Sequence, residues 1–252
     1  MIGIISAMQE EIQALLNKLQ VKNTSIKGMR TYYQGTLFDQ NVVLVFSRWG
    51  KVASAMTATQ MINDFPVNEI IFTGVAGSIQ ENIHIGDIIV GKKLIQHDMN
   101  ASPIIPAYEI PLLKKTYFET EVIKRNLLQN AAQLFLADLE SFVASVDIQQ
   151  FNIDKPQVYI DDIASGDQFI STKLQIDRIK NDLPHVVCVE MEGASVAQVC
   201  YEYQIPFNII RTISDKANNN SHIDFPKFAK HVASNYALGI LKKYFKLVSN
   251  SN

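Results

Sequence analysis

Residues 186–203, VVCVEMEGASVAQVCYEY, show how this chain is built. Residues 186–189 form a short apolar run that predicts a buried strand, and residues 191–203 carry the small and apolar residues of a helix. A second apolar run, FNIIRTI at residues 207–213, follows after a short connection and predicts another strand. This succession of strand, helix and strand is typical of an α/β fold.

The same alternation extends along the rest of the chain. The predicted strands are residues 2–5, 31–38, 41–47, 69–73, 87–97, 158–163, 186–189 and 207–213, and the predicted helices are residues 9–19, 52–65, 119–136, 171–181, 191–203 and 225–245. Residues 98–118 contain three prolines and are predicted to be a loop that is functional or contacts a partner. No linker or repeat interrupts the pattern. We therefore predict one α/β domain over residues 1–252, with a mixed central sheet flanked by helices on both faces and a frayed end at residues 248–252.

The composition excludes several classes of protein. Of the 252 residues, 47% are hydrophobic, which is too many for a mainly disordered chain. The 23 Lys and Arg residues against 25 Asp and Glu residues give a net charge of −2, so nucleic acid and anionic membranes are not expected partners. Cys188 and Cys200 lie in apolar segments and are predicted to be buried, reduced thiols. Without a basic, apolar leader or an apolar run of roughly 20 residues, a cytoplasmic protein without a membrane span is expected.

Short segments that contain acidic residues, glycines and apolar residues follow directly after the predicted strands. Ligands of open α/β sheets bind at the carboxyl ends of the strands, so these residues are the candidates for a site. They are Ala7, Met8, Glu10 and Glu11; Gly74, Val75, Ala76 and Gly77; Gly166, Asp167, Gln168 and Phe169; Glu190, Met191 and Glu192; and Ser214 and Asp215. With Arg211, inside the last apolar run, several carboxylates and one guanidinium are predicted to meet at one rim.

Each of these residues also has an ordinary structural explanation. Acids such as Glu11 and Glu192 in the first turn of a helix complement its dipole, which contributes about 0.3–1 kcal/mol. Ser214 and Asp215 are also suited to a helix cap or a turn, and Gly74–Gly77 to a tight strand-to-helix turn. Arg211 is harder to explain in this way, because a guanidinium in an apolar strand is costly to bury unless acids pair with it. A structural salt bridge therefore remains the alternative for Arg211.

Five motifs in a fixed order carry a family resemblance. They are AMQEE at residues 7–11, TGVAG at 73–77, SGDQFI at 165–170, VEMEGASVAQVC at 189–200, and RTISDKAN at 211–218 with SHIDF at 221–225. Together they resemble the 5′-methylthioadenosine/S-adenosylhomocysteine nucleosidases of the nucleoside phosphorylase-like superfamily. The resemblance implies that fold, a homodimer, no cofactor, and hydrolysis of the N-glycosidic bond of these two nucleosides to release adenine.

The resemblance also implies roles for individual residues. Asp215 would protonate purine N7, Glu11 would activate the attacking water, Arg211 would orient the water and the carboxylate, and Glu192 would bind the ribose hydroxyls. The implied substrate-binding residues are Ala7, Met8, Val75, Ala76, Gly77, Phe169, Ile170, Glu190, Met191, Ser214 and Phe225, together with Ile104 on the 98–111 loop, which would reach the partner subunit's pocket. For Phe169, Met191 and Phe225, plain core packing is the competing interpretation from composition.

Several departures from the family pattern leave the substrate open. Val75 stands where the family often has a hydroxyl residue, so polar contacts there would fall to the backbone. Trp49, in SRWGK, replaces a small aliphatic residue, and the 98–111 loop also differs. A phosphate-dependent purine nucleoside phosphorylase remains an alternative, and Arg48 would contribute to its phosphate site. A hydrolase for another 5′-substituted nucleoside, such as futalosine or AMP, and a non-catalytic nucleoside sensor are further alternatives.

Overall fold

The apolar runs of the sequence form the strands of one mixed sheet. The computed structural model describes residues 1–217 and 221–250, and for residues 221–224 it describes the backbone. The strands are β1 (Ile2–Ser6), β2 (Gln20–Lys27), β3 (Arg30–Leu37), β4 (Gln40–Phe46), β5 (Glu69–Ser78), β6 (Ile88–Gln96), β7 (Phe118–Glu119), β8 (Val158–Ser165), β9 (Val186–Glu190) and β10 (Phe207–Asp215). The helices are α1 (Gln9–Lys18), α2 (Lys51–Asp64), α3 (Val122–Leu136), α4 (Ser145–Gln150), α5 (Lys173–Asp182), α6 (Gly193–Tyr203), α7 (Ser221–Phe228) and α8 (Ser234–Asn250).

One half of the sheet closes on itself. The strand order is β10-β6-β8-β9-β5-β1-β4-β3-β2, and β10 also pairs with β5, so that β5, β9, β8, β6 and β10 form a ring. Strands β1, β4, β3 and β2 extend from β5 as an open sheet, in which β1 is parallel to both β5 and β4, and the short β7 pairs with β6 of the ring. Strands β10 and β5 are parallel as well, so the segments after β1 and at the ends of β5 and β10 meet at one edge.

Helices cover both faces because the side chains of the strands alternate. In β1, Ile2 and Ile4 pack into a core that α1, α3 and α8 complete, whereas Ile5 faces the opposite core. That opposite core contains Ala58 of α2 and Ala194 of α6. The period of two along a strand thus distributes apolar residues to two layers. The predicted mixed sheet with helices on both faces is confirmed.

Two strand predictions needed correction. Strand β2 was missed because its side chains are almost all exposed and show no apolar alternation. Residues 74–77, considered as a strand-to-helix turn, instead continue β5 as far as Ser78 in fully buried extended structure. A glycine-rich segment can remain in a strand where neighbouring groups approach the backbone closely, which is the situation described below for Gly74.

The predicted loop is confirmed, whereas the C-terminal helix differs from its prediction. Residues 98–117 form turns without a helix, as predicted. The C-terminal helix is divided, because a wider turn at residues 229–233 separates α7 from α8. Helix α8 continues to Asn250, so the described part of the predicted frayed end at residues 248–252 is helical; fraying stays a prediction, and residues 251–252 lie outside the described part. None of the described helices is both long enough and apolar enough to cross a bilayer.

The contact between α3 and α8 gives a first test of the fold. A Cβ atom added at Gly239 of α8 would overlap the ring of Phe135 on α3, and both positions are buried. We expect Gly239→Ala to lower the free energy of unfolding by about 1–3 kcal/mol, because a packed core does not accept added volume. Urea unfolding followed by circular dichroism measures this change.

The exposed Lys246 on the same helix provides the control. Lys246→Ala should change the free energy of unfolding by less than about 0.5 kcal/mol. Helix propensity alone would make Gly239→Ala stabilising by about 1 kcal/mol, so a more stable variant would contradict the packing described here.

Candidate active site

The residues that follow the strands surround one cavity, whose empty space is about 600 Å³ when the part open to solvent is included. Its lining includes nearly all of the residues that the sequence motifs pointed to. These are Ala7, Met8, Glu11, Val75, Ala76, Gly77, Phe169, Ile170, Glu190, Met191, Glu192, Ser214, Asp215 and Phe225. Side chains far apart along the chain therefore share one concave surface, which is the usual form of a small-molecule site.

Two of the residues to which the resemblance gives a role do not line this cavity, and neither do the strand-end candidates Glu10, Gly74, Gly166 and Asp167. Arg211 is 1% exposed and lies beneath the cavity rather than on its surface. Ile104, on the 98–117 loop, is 89% exposed and lies apart from it within a single chain. Trp49 and Val189 line the cavity without having been site candidates, and Gln168 lines it as a strand-end candidate to which the resemblance gave no role. Gln168 and Val189 belong to the quoted motifs, and Trp49 had been noted only as a departure.

Glu11 is buried and held by three backbone amides. It lies in the first turn of α1, where its Oε2 accepts hydrogen bonds from the amides of Ala7 at 2.8 Å and Met8 at 3.1 Å. Its Oε1 accepts a hydrogen bond from the Val75 amide at 3.0 Å, so the backbone at Val75 makes a polar contact that needs no hydroxyl. Burial raises the pKa of Glu11 above its ordinary value, although the Arg211 charge and the amides act in the opposite direction.

Gly74 allows Glu11 and Arg211 to approach the same point of β5. A Cβ atom at residue 74 would lie 2.8 Å from Glu11 Oε1 and 3.1 Å from Arg211 Nη1. Both distances are too short for a side chain to be accepted without displacing one of these groups. The glycine of the TGVAG motif therefore has a steric role beside the two charged groups.

Glu190 connects the buried guanidinium to the start of a helix. Its Oε2 accepts a hydrogen bond from Arg211 Nη2 at 2.6 Å. Its carboxylate also accepts hydrogen bonds from the Ser165 hydroxyl and from the amides of Glu192 and Gly193, which begin α6. A carboxylate at a helix N-terminus is favourable for the helix dipole. The salt bridge considered for Arg211 in the sequence is thus present, with Glu190 as its partner.

Glu192 is a second buried carboxyl with a raised pKa. It is 6% exposed, and its Oε1 accepts a hydrogen bond from the Gly50 amide at 2.9 Å. Burial and the neighbouring Glu190 carboxylate raise the pKa of Glu192 to about 8, even though Arg211 acts to lower it. At pH 7 the Glu192 carboxyl is therefore largely protonated, and it can donate a hydrogen bond as well as accept one.

Asp215 ends β10 on another side of the same cavity. Its Oδ2 accepts a hydrogen bond from the Ser214 hydroxyl at 2.8 Å, and its Oδ1 accepts one from the Ala217 amide at 2.8 Å. The carboxyl lies against Gly77, where an added Cβ atom would be 2.9 Å from Oδ1. Asp215 is 3% exposed, so water has little access to it in the closed wall of the cavity.

Three aromatic rings form the outer side of the cavity. The ring centroid of Phe225 lies 6.0 Å from that of Phe169 and 6.1 Å from that of Trp49. Phe169 and Trp49 are 44% and 58% exposed, in contrast to the buried carboxylates. Trp49, Phe169 and Phe225 are called the aromatic wall below. Such rings offer apolar faces to a flat ligand.

A clamp of three charged residues holds the loop that carries Phe169. Lys51 Nζ lies 2.6 Å from Asp98 Oδ1, and Asp98 Oδ2 accepts a hydrogen bond from the Asp167 amide at 2.8 Å. The Asp167 side chain in turn accepts a hydrogen bond from the Lys51 amide at 2.8 Å. Lys51, Asp98 and Asp167 thereby tie the 166–169 segment to the first residue of α2, and they are called the clamp below.

Thiols and metal ligands play no evident part in this cavity. Cys188 and Cys200 are buried and form no disulfide, as predicted. Burial raises the pKa of both thiols far above its ordinary value, so both stay protonated. Within residues 1–217 and 221–250, no three His, Cys, Asp or Glu side chains are grouped as metal ligands.

Comparison with known proteins identifies the family. A model of the phosphorylase superfamily matches residues 1–246. A 5′-methylthioadenosine/S-adenosylhomocysteine nucleosidase of Staphylococcus aureus is 33% identical over 235 residues, which are 92% of this chain and 94% of that protein. The chain belongs to this nucleosidase family. The resemblance carried by the five motifs is thereby confirmed.

Solved structures of the nucleosidase family share the same fold. The 5′-methylthioadenosine/S-adenosylhomocysteine nucleosidase of Neisseria meningitidis, in complex with methylthio-immucillin-A, superposes with a TM-score of 0.85 at 27% identity and covers 98% of both chains. Futalosine hydrolase of Helicobacter pylori superposes with a TM-score of 0.83 at 30% identity, covering 98% of this chain and 97% of that one. Nucleosidases and hydrolases of this kind cleave nucleosides with water, so the chain is an enzyme of the N-ribosyl hydrolase class.

The raised pKa of Glu192 predicts how stability depends on pH. Between the ordinary glutamate pKa of 4.5 and about 8, folded Glu192 keeps a proton that the unfolded chain has lost. The contribution of this group to stability therefore falls as pH rises through that window. In Glu192→Gln this contribution is absent, so we expect the melting temperature of the ligand-free variant to decline less steeply between pH 5 and pH 8.

Thermal unfolding in a series of buffers of equal ionic strength measures both slopes. Glu202→Gln is the matched control, because Glu202 is exposed on α6 and its replacement should leave the slope of the parent protein unchanged. If Glu192→Gln and the parent protein gave parallel profiles over this range, Glu192 would not carry the extra proton.

Proposed function

We propose that the chain hydrolyses the N-glycosidic bond of 5′-methylthioadenosine and S-adenosylhomocysteine, releasing adenine and the thioribose product. The observation that carries this proposal is that Glu11 and Asp215 line the same cavity. A proton donor for the base and an activator for water are then available on different walls of one site. The similarity to the Staphylococcus aureus nucleosidase over 92% of the chain gives further support to the choice of substrates.

Asp215 acts on the purine in this mechanism. Adenine is a poor leaving group as an anion, so the electron pair of the C1′–N9 bond moves into the ring while Asp215 gives its proton to N7. The Ser214 hydroxyl and the Ala217 amide, which hold the Asp215 carboxyl, fix its direction. Phe169 stacks on the purine, and the Ile170 backbone meets the polar edge of the ring.

Glu11 acts on the opposite side of the sugar. The oxygen of a water molecule forms a bond to C1′ while one of its protons passes to Glu11, and the thioribose product keeps the new hydroxyl. The raised pKa of Glu11 makes it a stronger base than an exposed glutamate. The protonated Glu192 binds the ribose hydroxyls, and the carboxylates around the sugar favour the positive charge that develops on it. Arg211 acts as a positioning residue through Glu190 and Glu11.

The charge of the cavity argues against the phosphorylase alternative. Among the described residues that line it, none is lysine or arginine, whereas Glu11, Glu190, Glu192 and Asp215 are acidic. A phosphate ion beside Glu11 would meet negative groups without a cationic partner. Arg48, the candidate for a phosphate site, is exposed and donates a hydrogen bond to the Met29 carbonyl outside the cavity.

A second candidate substrate is futalosine. The Helicobacter pylori futalosine hydrolase matches this chain with a TM-score of 0.83, so the fold and cavity are compatible with a different group at the 5′ position. The base and sugar chemistry would be the same as in the mechanism above. AMP is a weaker candidate, since its phosphate would require basic groups that the described lining does not provide.

The substrate assay separates these alternatives. The protein is incubated with 5′-methylthioadenosine, S-adenosylhomocysteine, futalosine, adenosine or inosine, with and without phosphate, and the free base is followed by chromatography. We expect release of adenine from the two thionucleosides at the same rate in both buffers. Strict dependence on phosphate would overturn the hydrolase in favour of a phosphorylase, and binding without turnover of any substrate would favour a sensor.

Two substitutions test the acid and the base. Glu11→Gln and Asp215→Asn should each lower kcat by at least about 100-fold, the usual contribution of a general acid or base. Glu10→Gln and Asp177→Asn are the matched controls, because Glu10 is exposed, the Asp177 side chain is 47% exposed, and both lie outside the cavity. Rates close to the parent enzyme in Glu11→Gln or Asp215→Asn would contradict the assigned roles.

A further inference from the structure

Lys216 directly follows Asp215 and ties the end of β10 to a neighbouring loop. Its Nζ donates hydrogen bonds to the backbone carbonyls of Glu81, at 3.1 Å, and of Ile83. The same nitrogen lies 3.3 Å from Nδ1 of His84. All three groups belong to the connection between β5 and β6. One partly buried ammonium group therefore links this connection to the strand that carries Asp215.

The connection between β5 and β6 is itself held against β10. The Gly86 amide donates a hydrogen bond to the Ile213 carbonyl at 2.9 Å, and the Ile213 amide donates one to the Asp87 carbonyl at 2.8 Å. The Asp87 carboxylate is buried and accepts a hydrogen bond from the His84 amide at 2.8 Å. Lys216 is therefore bonded to a loop whose position relative to β10 is already fixed by backbone contacts.

The backbone leaves the regular sheet at Asp215. This residue pairs with Gly77 at the end of the contact between β10 and β5, and the register shifts between Ile213 and Asp215. Ala217 has a φ angle of 50°, in the left-handed region that residues other than glycine enter at an energetic cost. Lys216 lies between the irregular pairing and the strained residue. Its side chain thus supplies contacts where the hydrogen bonds between the strands end.

A proton donor must be placed accurately to act on a purine. General acids work at a distance of about 2.6–3.2 Å from the atom that they protonate, and a displacement of about 1 Å can lower the rate strongly. The Ala217 amide bonds to Asp215 Oδ1 at 2.8 Å, and an added Cβ atom at Gly77 would lie 2.9 Å from that oxygen and 3.1 Å from Ala217 Cβ. A shift of the 215–217 turn would therefore move the carboxyl as well.

We propose that Lys216 is a positioning residue, which holds Asp215 at the distance from purine N7 that proton transfer requires. This inference rests on the proposed function, in which Asp215 is the proton donor. Lys216 acts through the backbone, because its ammonium group binds the connection between β5 and β6 and so keeps the 215–217 turn in place. Loss of this group affects the step that needs a proton on the base more than the steps at the sugar.

The test compares two substrates that differ in their need for a proton. 5′-Methylthioadenosine requires protonation of its base, whereas 4-nitrophenyl 5-deoxy-5-methylthio-β-D-ribofuranoside releases a stable phenolate without it. Lys216→Met should lower kcat for the nucleoside by about 10-fold and change kcat for the nitrophenyl compound by less than about twofold. Asp215→Asn should show the same selectivity with a larger loss. Lys216→Arg, which keeps a cation and its donors, should restore most of the rate.

Lys243→Met is the matched control. Lys243 is also partly buried, but its ammonium group is paired with Asp138 at 2.7 Å, and neither residue lines the cavity. This variant should hydrolyse both substrates at the rate of the parent enzyme. Thermal unfolding shows that each variant is folded at the assay temperature, and Lys216→Gln takes the place of Lys216→Met if the latter is not. Equal losses with both substrates, or no loss with either, would overturn the inference.

A binding measurement separates this inference from the proposed function. 5′-Methylthioformycin and 5′-methylthiotubercidin resist hydrolysis, and they carry N–H and C–H respectively at the position of purine N7. The ratio of their dissociation constants, measured by calorimetry, therefore reports the contact with Asp215. Lys216→Met should reduce the preference for the formycin compound by about fivefold, the scale of one hydrogen bond.

This reduction would support the inference even if the parent enzyme did not hydrolyse 5′-methylthioadenosine, a result that would overturn only the proposed function. An unchanged preference in Lys216→Met would contradict the inference, because Asp215 would then keep its position without the lysine.

Discussion

The buried guanidinium of Arg211 is the interaction on which the cavity depends. A charge with 1% exposure is costly, and three features of the surroundings offset this cost. Glu190 forms a 2.6 Å ion pair with it, Phe72 presents its ring at 4.3 Å, and the Glu11 carboxylate lies close enough to raise the pKa of Arg211 against the effect of burial. The glutamates in turn have no other strong cation among their described partners.

One positive charge is not enough for three carboxylates in a dry site. Glu190 takes the direct hydrogen bond, and the remaining two acids respond by holding their protons more tightly. Three glutamate side chains thereby differ in protonation and in partners. Glu190 is paired with Arg211 at the start of α6, Glu11 is the proposed base, and Glu192 is protonated and can donate a hydrogen bond. Environment rather than residue type separates their functions.

Much of the fold was readable because buried strands are apolar runs. β1, β4, β9 and β10 were predicted almost at their boundaries, whereas β2 is an exposed strand whose sequence carries no period. The five sequence motifs contain most of the residues that line the cavity. The position of Arg211 outside the cavity lining could not be predicted from the sequence, because it depends on the pairing of β10 with β5. Trp49 was noticed as a departure, but only its position beside Phe225 shows that it faces the cavity.

The clamp lies next to a second contact, and the two are made by consecutive backbone amides. The amide of Gly50 binds the Glu192 carboxyl, and the amide of the next residue, Lys51, binds Asp167. Glu192 belongs to the wall assigned to ribose, while Asp167 belongs to the segment assigned to the purine. Both of these walls are therefore held by backbone amides at the start of α2. A shift of α2 would displace the backbone contacts to Glu192 and to Asp167 at the same time. The positions of the two walls of the cavity are therefore coupled through this helix.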